Sequence, residues 1–344
     1  MGNDLKFHLW TEDPSQAPNS GRRFRRLSTI ASAPRVPFVS LDLKNVDNVY
    51  TYLALIDRQG LLSIYEPSNP DDFRDWTLID QWNVCVPAPG RGEETSFKVR
   101  WDQNITPLPY INSVSNDRNQ LSLVVTALDQ VKIYRSVPNT TNGLNSDGTT
   151  HRLIFYEAAR LPKHPALVRD VQWAPFSVRG VDRIATACQD GAVRIFEIGV
   201  SERADGTSSI PEDGAGSQRV PQPPPRLQPQ SSLTSAITGR NNNNSGLSSA
   251  TTSALLSDGR QNQPRVYNFP FEHTITQVAN IDDAHRDAWA LAWDGQGQVL
   301  MSSGSDGVTK VWRKSVMGGQ WLLFADQAVD LGDGDASDAD EPDD

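Results

Sequence analysis

Two stretches of the chain, Ile184-Ala-Thr-Ala-Cys-Gln-Asp190-Gly-Ala-Val-Arg-Ile-Phe196 and Leu300-Met-Ser-Ser-Gly-Ser-Asp306-Gly-Val-Thr-Lys-Val-Trp312, repeat one design. In each, a strand of apolar and small residues enters an Asp-Gly turn, and an alternating strand leaves it to end on an aromatic six residues after the Asp. The Asp carboxylate accepts backbone N–H groups of such a turn, and Gly supplies the positive φ it needs. A hairpin repeated in this way cannot bury both of its faces alone, so copies must stack side by side.

The unit matches the inner hairpin of a blade in a WD-repeat β-propeller, an all-β fold that works mostly as a binding platform. The last repeat begins near Thr274-Ile-Thr-Gln-Val-Ala279, turns at Ala284-His285, and continues through Trp289–Trp293 to the hairpin ending at Trp312. The preceding repeat has Leu153–Ala158, His164, Val168–Trp173 and the hairpin ending at Phe196. Before it come Phe97–Trp101, Leu121–Ala127 and Val131–Tyr134, and earlier still Val36–Leu41, Tyr52–Ile56 and Leu61–Tyr65. All are strand-length apolar or alternating segments bounded by turn residues, so four complete blades are predicted. Asp4 and Trp10 are again six apart and are taken as a stray final strand. A lone strand has no sheet to join, which predicts that the chain begins partway through a larger propeller.

The domain organisation expected is blades over 1–198, a disordered insertion between the last two blades over 199–270, the last blade over 271–328, and a disordered acidic tail over 329–344. The insertion is rich in Ser, Asn, Gln and Pro, including Pro223–Pro225 and Asn241–Asn244, with too few apolar residues to offset the entropy of ordering. Pro138–Thr150 is read as a shorter loop. Of the formal charge of −10, eight acidic residues lie between Asp330 and Asp344, leaving about −2 for the body. That near-neutral body argues against a nucleic-acid groove. The tail is a solvating segment or a contact for a basic partner. Arg22, Arg23, Arg25 and Arg26 form the one dense basic cluster, read as a solvated or partner-facing loop between blades, with a kinase site or a phosphate-binding patch as alternatives.

The sequence contains no run of transmembrane length and opens on no signal peptide, and a soluble intracellular protein is expected. Lys6 stands where a myristoylation start needs Ser or Thr. Cys85 and Cys188 are read as small hydrophobes in strands. The five histidines are scattered, with no metal motif or phosphate-binding loop, so no cofactor, metal or small-molecule substrate is expected. His285, Ser302, Asp306 and Trp312 have the spacing of the buried WD-repeat tetrad, in which His bridges Asp and Ser while the indole donates to the hydroxyl. His164, Thr186 and Asp190 form an incomplete version, because Phe196 has no N–H to give. Gln59 stands where the first full blade should carry Asp. The Ser/His/Asp trio is thereby accounted for structurally, and no enzyme is predicted.

Leu9-Trp10-Thr-Glu-Asp-Pro14 followed by Ser20-Gly-Arg-Arg23, Tyr65-Glu-Pro with Trp76-Thr-Leu78, and His164-Pro-Ala-Leu-Val-Arg-Asp-Val-Gln-Trp-Ala-Pro175 add a narrower resemblance. Together with Asp306–Trp312 they resemble the SEH-type WD-repeat nucleoporins, over about residues 2–327 without the insertion. The resemblance implies an open six-bladed parent propeller, here without its first blade and most of the second. Its partner would be an α-solenoid nucleoporin that completes it by inserting strands, alongside other Y-complex subunits. It further implies scaffolding of the nuclear pore in support of protein and mRNA transport, and a second membership in a SEA/GATOR-type complex at the vacuolar or lysosomal membrane that regulates TOR signalling. The competing readings are a COPII outer-coat subunit and a ubiquitin-ligase substrate receptor.

Overall fold

The computed structural model describes residues 4–33, 35–104, 120–139, 152–175, 181–202 and 271–328. Among them there is no helix, and eighteen strands form five antiparallel sheets. The first sheet is a hairpin of β1 (Lys6–Glu12) and β2 (Phe24–Ala31). Four four-stranded sheets follow. The second holds β3 (Phe38–Val46), β4 (Tyr50–Asp57), β5 (Leu61–Asn69) and β6 (Asp72–Asn83). The third holds β7 (Phe97–Trp101), β8 (Ser122–Ala127), β9 (Gln130–Asn139) and β10 (Arg152–Arg160). The fourth holds β11 (Val168–Trp173), β12 (Asp182–Cys188), β13 (Val193–Glu202) and β14 (Phe271–Ile281). The last holds β15 (Ala288–Trp293), β16 (Val299–Gly304), β17 (Val308–Lys314) and β18 (Trp321–Ala328).

Within each four-stranded sheet the strands lie in chain order, and the first strands pack on one another, β3 on β7, β7 on β11 and β11 on β15. Each junction between sheets carries its own core. Phe7, Leu9 and Ile30 meet Phe38, Leu53 and Leu55 at the first. Ala54, Ile56, Leu62 and Ile64 meet Phe97, Val99, Trp101 and Leu123 at the second. Val124, Val131 and Ile133 meet Val171, Ile184 and Phe196 at the third. Ala185, Ala187, Val193 and Ile195 meet Leu291, Leu300 and Trp312 at the fourth.

This stacking explains the sequence of the second strands. β4, β8 and β12 have a sheet on each side, and their residues from Tyr52 to Asp57, Ser122 to Ala127, and Ile184 to Cys188 are all buried. A strand covered on both faces is an apolar run rather than an alternation, and each large side chain so buried contributes about 1.5–3 kcal/mol. The turns after β4, β12 and β16 place Gly60, Gly191 and Gly307 at φ of +83°, +85° and +72°. At Gly191 a Cβ would also collide with the His285 carbonyl of the loop before β15, whose N–H donates to the Gly191 carbonyl at 3.0 Å.

Several expectations change. The segment around Thr274–Ala279 is β14, paired along β13 from Val193↔Ile281 to Glu202↔Phe271, so it completes the fourth sheet instead of opening the last. The insertion therefore interrupts a sheet between its third and outer strands rather than separating two blades. β13 runs to Glu202, past the expected boundary at 198, and 203–270 lie outside the described residues, as do 329–344. The stray strand β1 has a partner in β2, and Arg25 and Arg26 lie in β2 itself, in a hairpin and not in a loop between blades. Pro138 and Asn139 belong to β9, and 140–151 are outside the described residues. Cys85 follows the end of β6, while Cys188 is buried in β12; both thiols are free.

Candidate partner-binding face

In the last sheet four side chains form one directed hydrogen-bond chain. His285 Nδ1 lies 3.0 Å from Asp306 Oδ1, and its Nε2 lies 2.7 Å from Ser302 Oγ. Trp312 Nε1 donates to the same Ser302 Oγ at 2.8 Å. A carboxylate only accepts, so Nδ1 carries the proton and Nε2 accepts from the Ser302 hydroxyl, whose lone pair takes the indole N–H. Burial raises the Asp306 carboxyl, but the hydrogen bonds from His285 and the Val308 N–H, with the nearby Lys310, outweigh it and hold it below the usual range. Ser302 is buried with both roles used. The trio closes a blade and presents no nucleophile.

The fourth sheet keeps half of this chain. His164 Nε2 meets Thr186 Oγ1 at 2.9 Å, and Phe196 sets its ring edge-on to the imidazole at 5.9 Å in place of an indole. Asp190 turns away to Arg194, at 2.6 Å, and makes no hydrogen bond to His164, whose Nδ1 is left without one. Burial, with the charge of Arg194, brings the His164 pKa down to about 4. In the first sheet Asp4 bonds His8 at 2.6 Å and His8 bonds Thr29 at 2.9 Å, while Trp10 points outward, 55% exposed. Asp4 and Trp10 are thus not brought together. In the second sheet Asp57 takes the turn role from a position two residues before Gln59, its Oδ1 accepting the N–H of Gln59 at 2.8 Å and of Leu61 at 2.9 Å.

Contacts between sheets form a second recurring set, with no mark in the Asp-Gly hairpins of the sequence repeat. β3, β11 and β15 each carry a bulge, and the first paired residue after it is Ser40, Asp170 or Ala290. Ser40 Oγ accepts the N–H of Val99 in β7 at 3.2 Å, and Asp170 Oδ2 accepts the N–H of Leu291 in β15 at 3.0 Å. Two residues on, the carbonyl of Asp42 accepts the Trp101 indole at 3.2 Å, and that of Gln172 accepts the Trp293 indole at 3.3 Å. The second sheet thus clasps the third, and the fourth clasps the last, by one side-chain acceptor and one carbonyl. The visible signal is the Trp closing the receiving strand, Trp101 in β7 and Trp293 in β15.

A buried ionic cluster ties the third and fourth sheets. Arg135, fully buried in β9, donates to Ser122 at 2.6 Å, to Asp182 at 3.0 Å and to His273 Nε2 at 3.0 Å, with its guanidinium 5.9 Å from the Trp173 ring centre. Burial and the Arg135 charge bring the His273 pKa down to about 3. Burial, reinforced by the charge of Asp182, pushes Asp102 up to about 6 despite Lys44, whose ammonium donates to the Asp102 and Asn104 carbonyls.

The far face of the last sheet differs from the corresponding faces of the sheets before it. In the fourth sheet the register aligns Gln172, Ala185, Ile195 and Ala279 across the strands, and Ala185 and Ile195 are covered by the last sheet. The equivalent row of the last sheet is Ala292, Met301, Val311 and Ala325, with Val299, Arg313 and Leu322 alongside. Here Ala292, Met301, Ala325 and Leu322 are exposed and Val311 is half-buried. The burial of β16 alternates, where Tyr52–Asp57 of β4, all of β8 and Ile184–Cys188 of β12 are buried. The same small and branched residues that seat a neighbouring sheet elsewhere stand uncovered here. Ala290 stands where Ser40 and Asp170 supply the acceptor, so this face lacks that side-chain clasp.

Comparison with known proteins agrees with this architecture. Residues 276–313 match the family described as WD domain, G-beta repeat. That segment opens in β14 and closes in β17, so the sequence repeat straddles two sheets. The chain is 32% identical to Nucleoporin SEH1 of Chaetomium thermophilum over 343 residues, covering 86% of this chain and 63% of that protein. It is 27% identical to Nucleoporin SEH1 of Saccharomyces cerevisiae over 317 residues, 90% of this chain and 73% of the relative. To Nucleoporin seh1 of Schizosaccharomyces pombe it is 24% identical over 270 residues, 76% of this chain and 57% of the relative. The chain thus spans roughly three fifths to three quarters of the length of these relatives.

Proposed function

The chain belongs to the SEH-type WD-repeat nucleoporins, and on that footing we propose that it is a non-enzymatic scaffold subunit of the nuclear pore. It acts at the nuclear envelope within the Y-shaped complex and supports pore assembly, and through it the transport of protein and mRNA. The observation that carries the reading is the uncovered row Ala292, Met301, Val311 and Ala325 on the last sheet. A strand-bearing segment of an α-solenoid nucleoporin packs there as the next sheet, by the same apolar contacts that join the five sheets before it. The buried tetrad and the clasps between sheets keep the platform rigid, so little ordering free energy is spent on binding. A second membership, in a SEA/GATOR-type assembly regulating TOR signalling, uses the same platform with a different solenoid.

Affinity purification of the full chain followed by mass spectrometry tests the proposal. Recovery of Y-complex nucleoporins is expected, with SEA-type subunits as a second set. Recovery of vesicle-coat subunits or a cullin adaptor in their place would overturn it.

A further inference from the structure

The second sheet departs from the last at the place where the tetrad would close it. Its register sets Phe38 against Asp57 and resumes with Ser40 against Ile56, as Ala288 against Gly304 and Ala290 against Ser303 do in the last sheet. Counted from these pairs, Arg35 and Gln59 stand where His285 and Asp306 bond to each other. A guanidinium only donates and Gln59 carries no charge, so the imidazole–carboxylate bond has no counterpart here. Asp57 braces the turn from within, its Oδ1 accepting the N–H groups of Gln59 and Leu61. A cleft of about 480 Å³ opens between the segment before β3, the turn after β4 and the loop from β6 to β7.

Arg35, Arg58 and Arg91 line this cleft, one from each segment, and all three are exposed. Among the described residues none of them forms an ion pair. Arg58 Nη2 donates to the carbonyls of Arg91 and Glu93, each at 3.4 Å, so one guanidinium is held in place before anything binds. The Glu93 carboxylate is taken up by the Gly90 N–H at 3.0 Å. Val36, Pro37 and Pro89 add an apolar wall. We propose that the cleft binds a phosphoserine or phosphothreonine side chain of a partner polypeptide. Guanidiniums match phosphate oxygens with paired hydrogen bonds. Three guanidiniums less the Glu93 carboxylate leave a charge of about +2, which one phosphate monoester, at about −1.5 to −2, neutralises. A free polyphosphate exceeds that charge and leaves the apolar wall uncovered, whereas a peptide sets its neighbouring side chains against Val36, Pro37 and Pro89. Phosphorylation of the partner thereby controls its hold on the second sheet.

Biolayer interferometry of the purified full chain tests this, against an immobilised peptide mixture with phosphoserine fixed at its centre and degenerate neighbours. At about 150 mM salt, binding should be saturable, and at least about tenfold weaker to the same mixture with serine at the centre. Arg35→Gln and Arg58→Gln should each weaken it about tenfold, the loss of a charge-assisted hydrogen bond, while Arg74→Gln, outside the cleft, should leave it unchanged. The Arg35 guanidinium holds no other described group, so Arg35→Gln keeps the test valid if Arg58→Gln loosens the loop. Because the chain is assayed alone, the outcome is independent of whether pore subunits are recovered with it. Equal binding of the two mixtures, or phosphate-dependent binding that survives both substitutions, overturns the proposal. So does capture of inositol hexakisphosphate at these arginines without capture of the phosphoserine peptides, because the occupant would then be a free polyphosphate.

Discussion

Replacing Ser302 by Ala removes one oxygen and orphans two buried groups. The Trp312 indole N–H, 2.8 Å from Ser302 Oγ, loses its acceptor, and His285 Nε2, 2.7 Å away, loses its donor. Each buried group left unsatisfied costs about 1–3 kcal/mol, so Ser302→Ala should destabilise by about 3–4 kcal/mol. The fourth sheet supplies an internal comparison. Thr186 serves only His164, with Phe196 beside it, so the near-isosteric Thr186→Val orphans one group and should cost about 1–2 kcal/mol. Urea unfolding followed by far-ultraviolet circular dichroism measures both, and hydrogen exchange in β16 and β17 localises the loss. The decisive control is a double-mutant cycle. With Trp312→Phe already in place only His285 remains to be orphaned, so Ser302→Ala should cost about half as much. An equal cost in both backgrounds, or a loss within about 0.5 kcal/mol of native, would refute the directed chain.

Gly191→Ala should cost at least about 2 kcal/mol, since it places a Cβ at φ +85° and drives it into the His285 carbonyl. Gly295→Ala, with open space around it, should be near neutral by the same melting assay. Arg135→Met should destabilise by about 3–5 kcal/mol by leaving Asp182 buried and unpaired, and adding Asp182→Asn should recover part of that loss. His164 has a pKa near 4 when folded against about 6.5 when unfolded, so between these values the unfolded chain takes up the proton and the folded chain does not. Its contribution, about 3 kcal/mol, is intact above pH 6.5 and lost as pH falls toward 4. Asp102, raised to about 6, works in the opposite sense, its neutral folded form losing advantage as pH rises from about 4 to 6. The measurement is therefore the difference between native chain and His164→Gln in urea midpoints at pH 7 and pH 5, which should shrink at the lower pH.

How much of this was legible in the sequence depended on the range of the interaction. The hairpins at Asp190 and Asp306 could be read because turn chemistry and alternation are local, and the His285 tetrad because all four members fall within one repeat. Sheet membership of β14 could not be read. The outer strand of a sheet heads the following sequence repeat, and here the long insertion separates it further from its partner β13. The Asp4 to Trp10 spacing misled for a related reason. A tetrad needs the strand that supplies its hydroxyl, and among the described residues β1 pairs only with β2, so Asp4 takes His8 and Trp10 is left outside. Arg135 and Asp182 are 47 residues apart on different sheets, and nothing local marks them as a pair. The open face was least visible, because Met301 and Val311 resemble core residues in sequence, and only the missing neighbour makes them surface.

The proposal that the uncovered face of the last sheet seats a nuclear pore partner has its most direct test at Met301. Met301→Asp places a charge in the middle of the row without touching the tetrad or the fourth-sheet core. Quantitative affinity purification should then lose the pore scaffold subunits while circular dichroism is unchanged and Arg74→Glu, on the second sheet, retains them. Undiminished recovery with Met301→Asp would contradict the account.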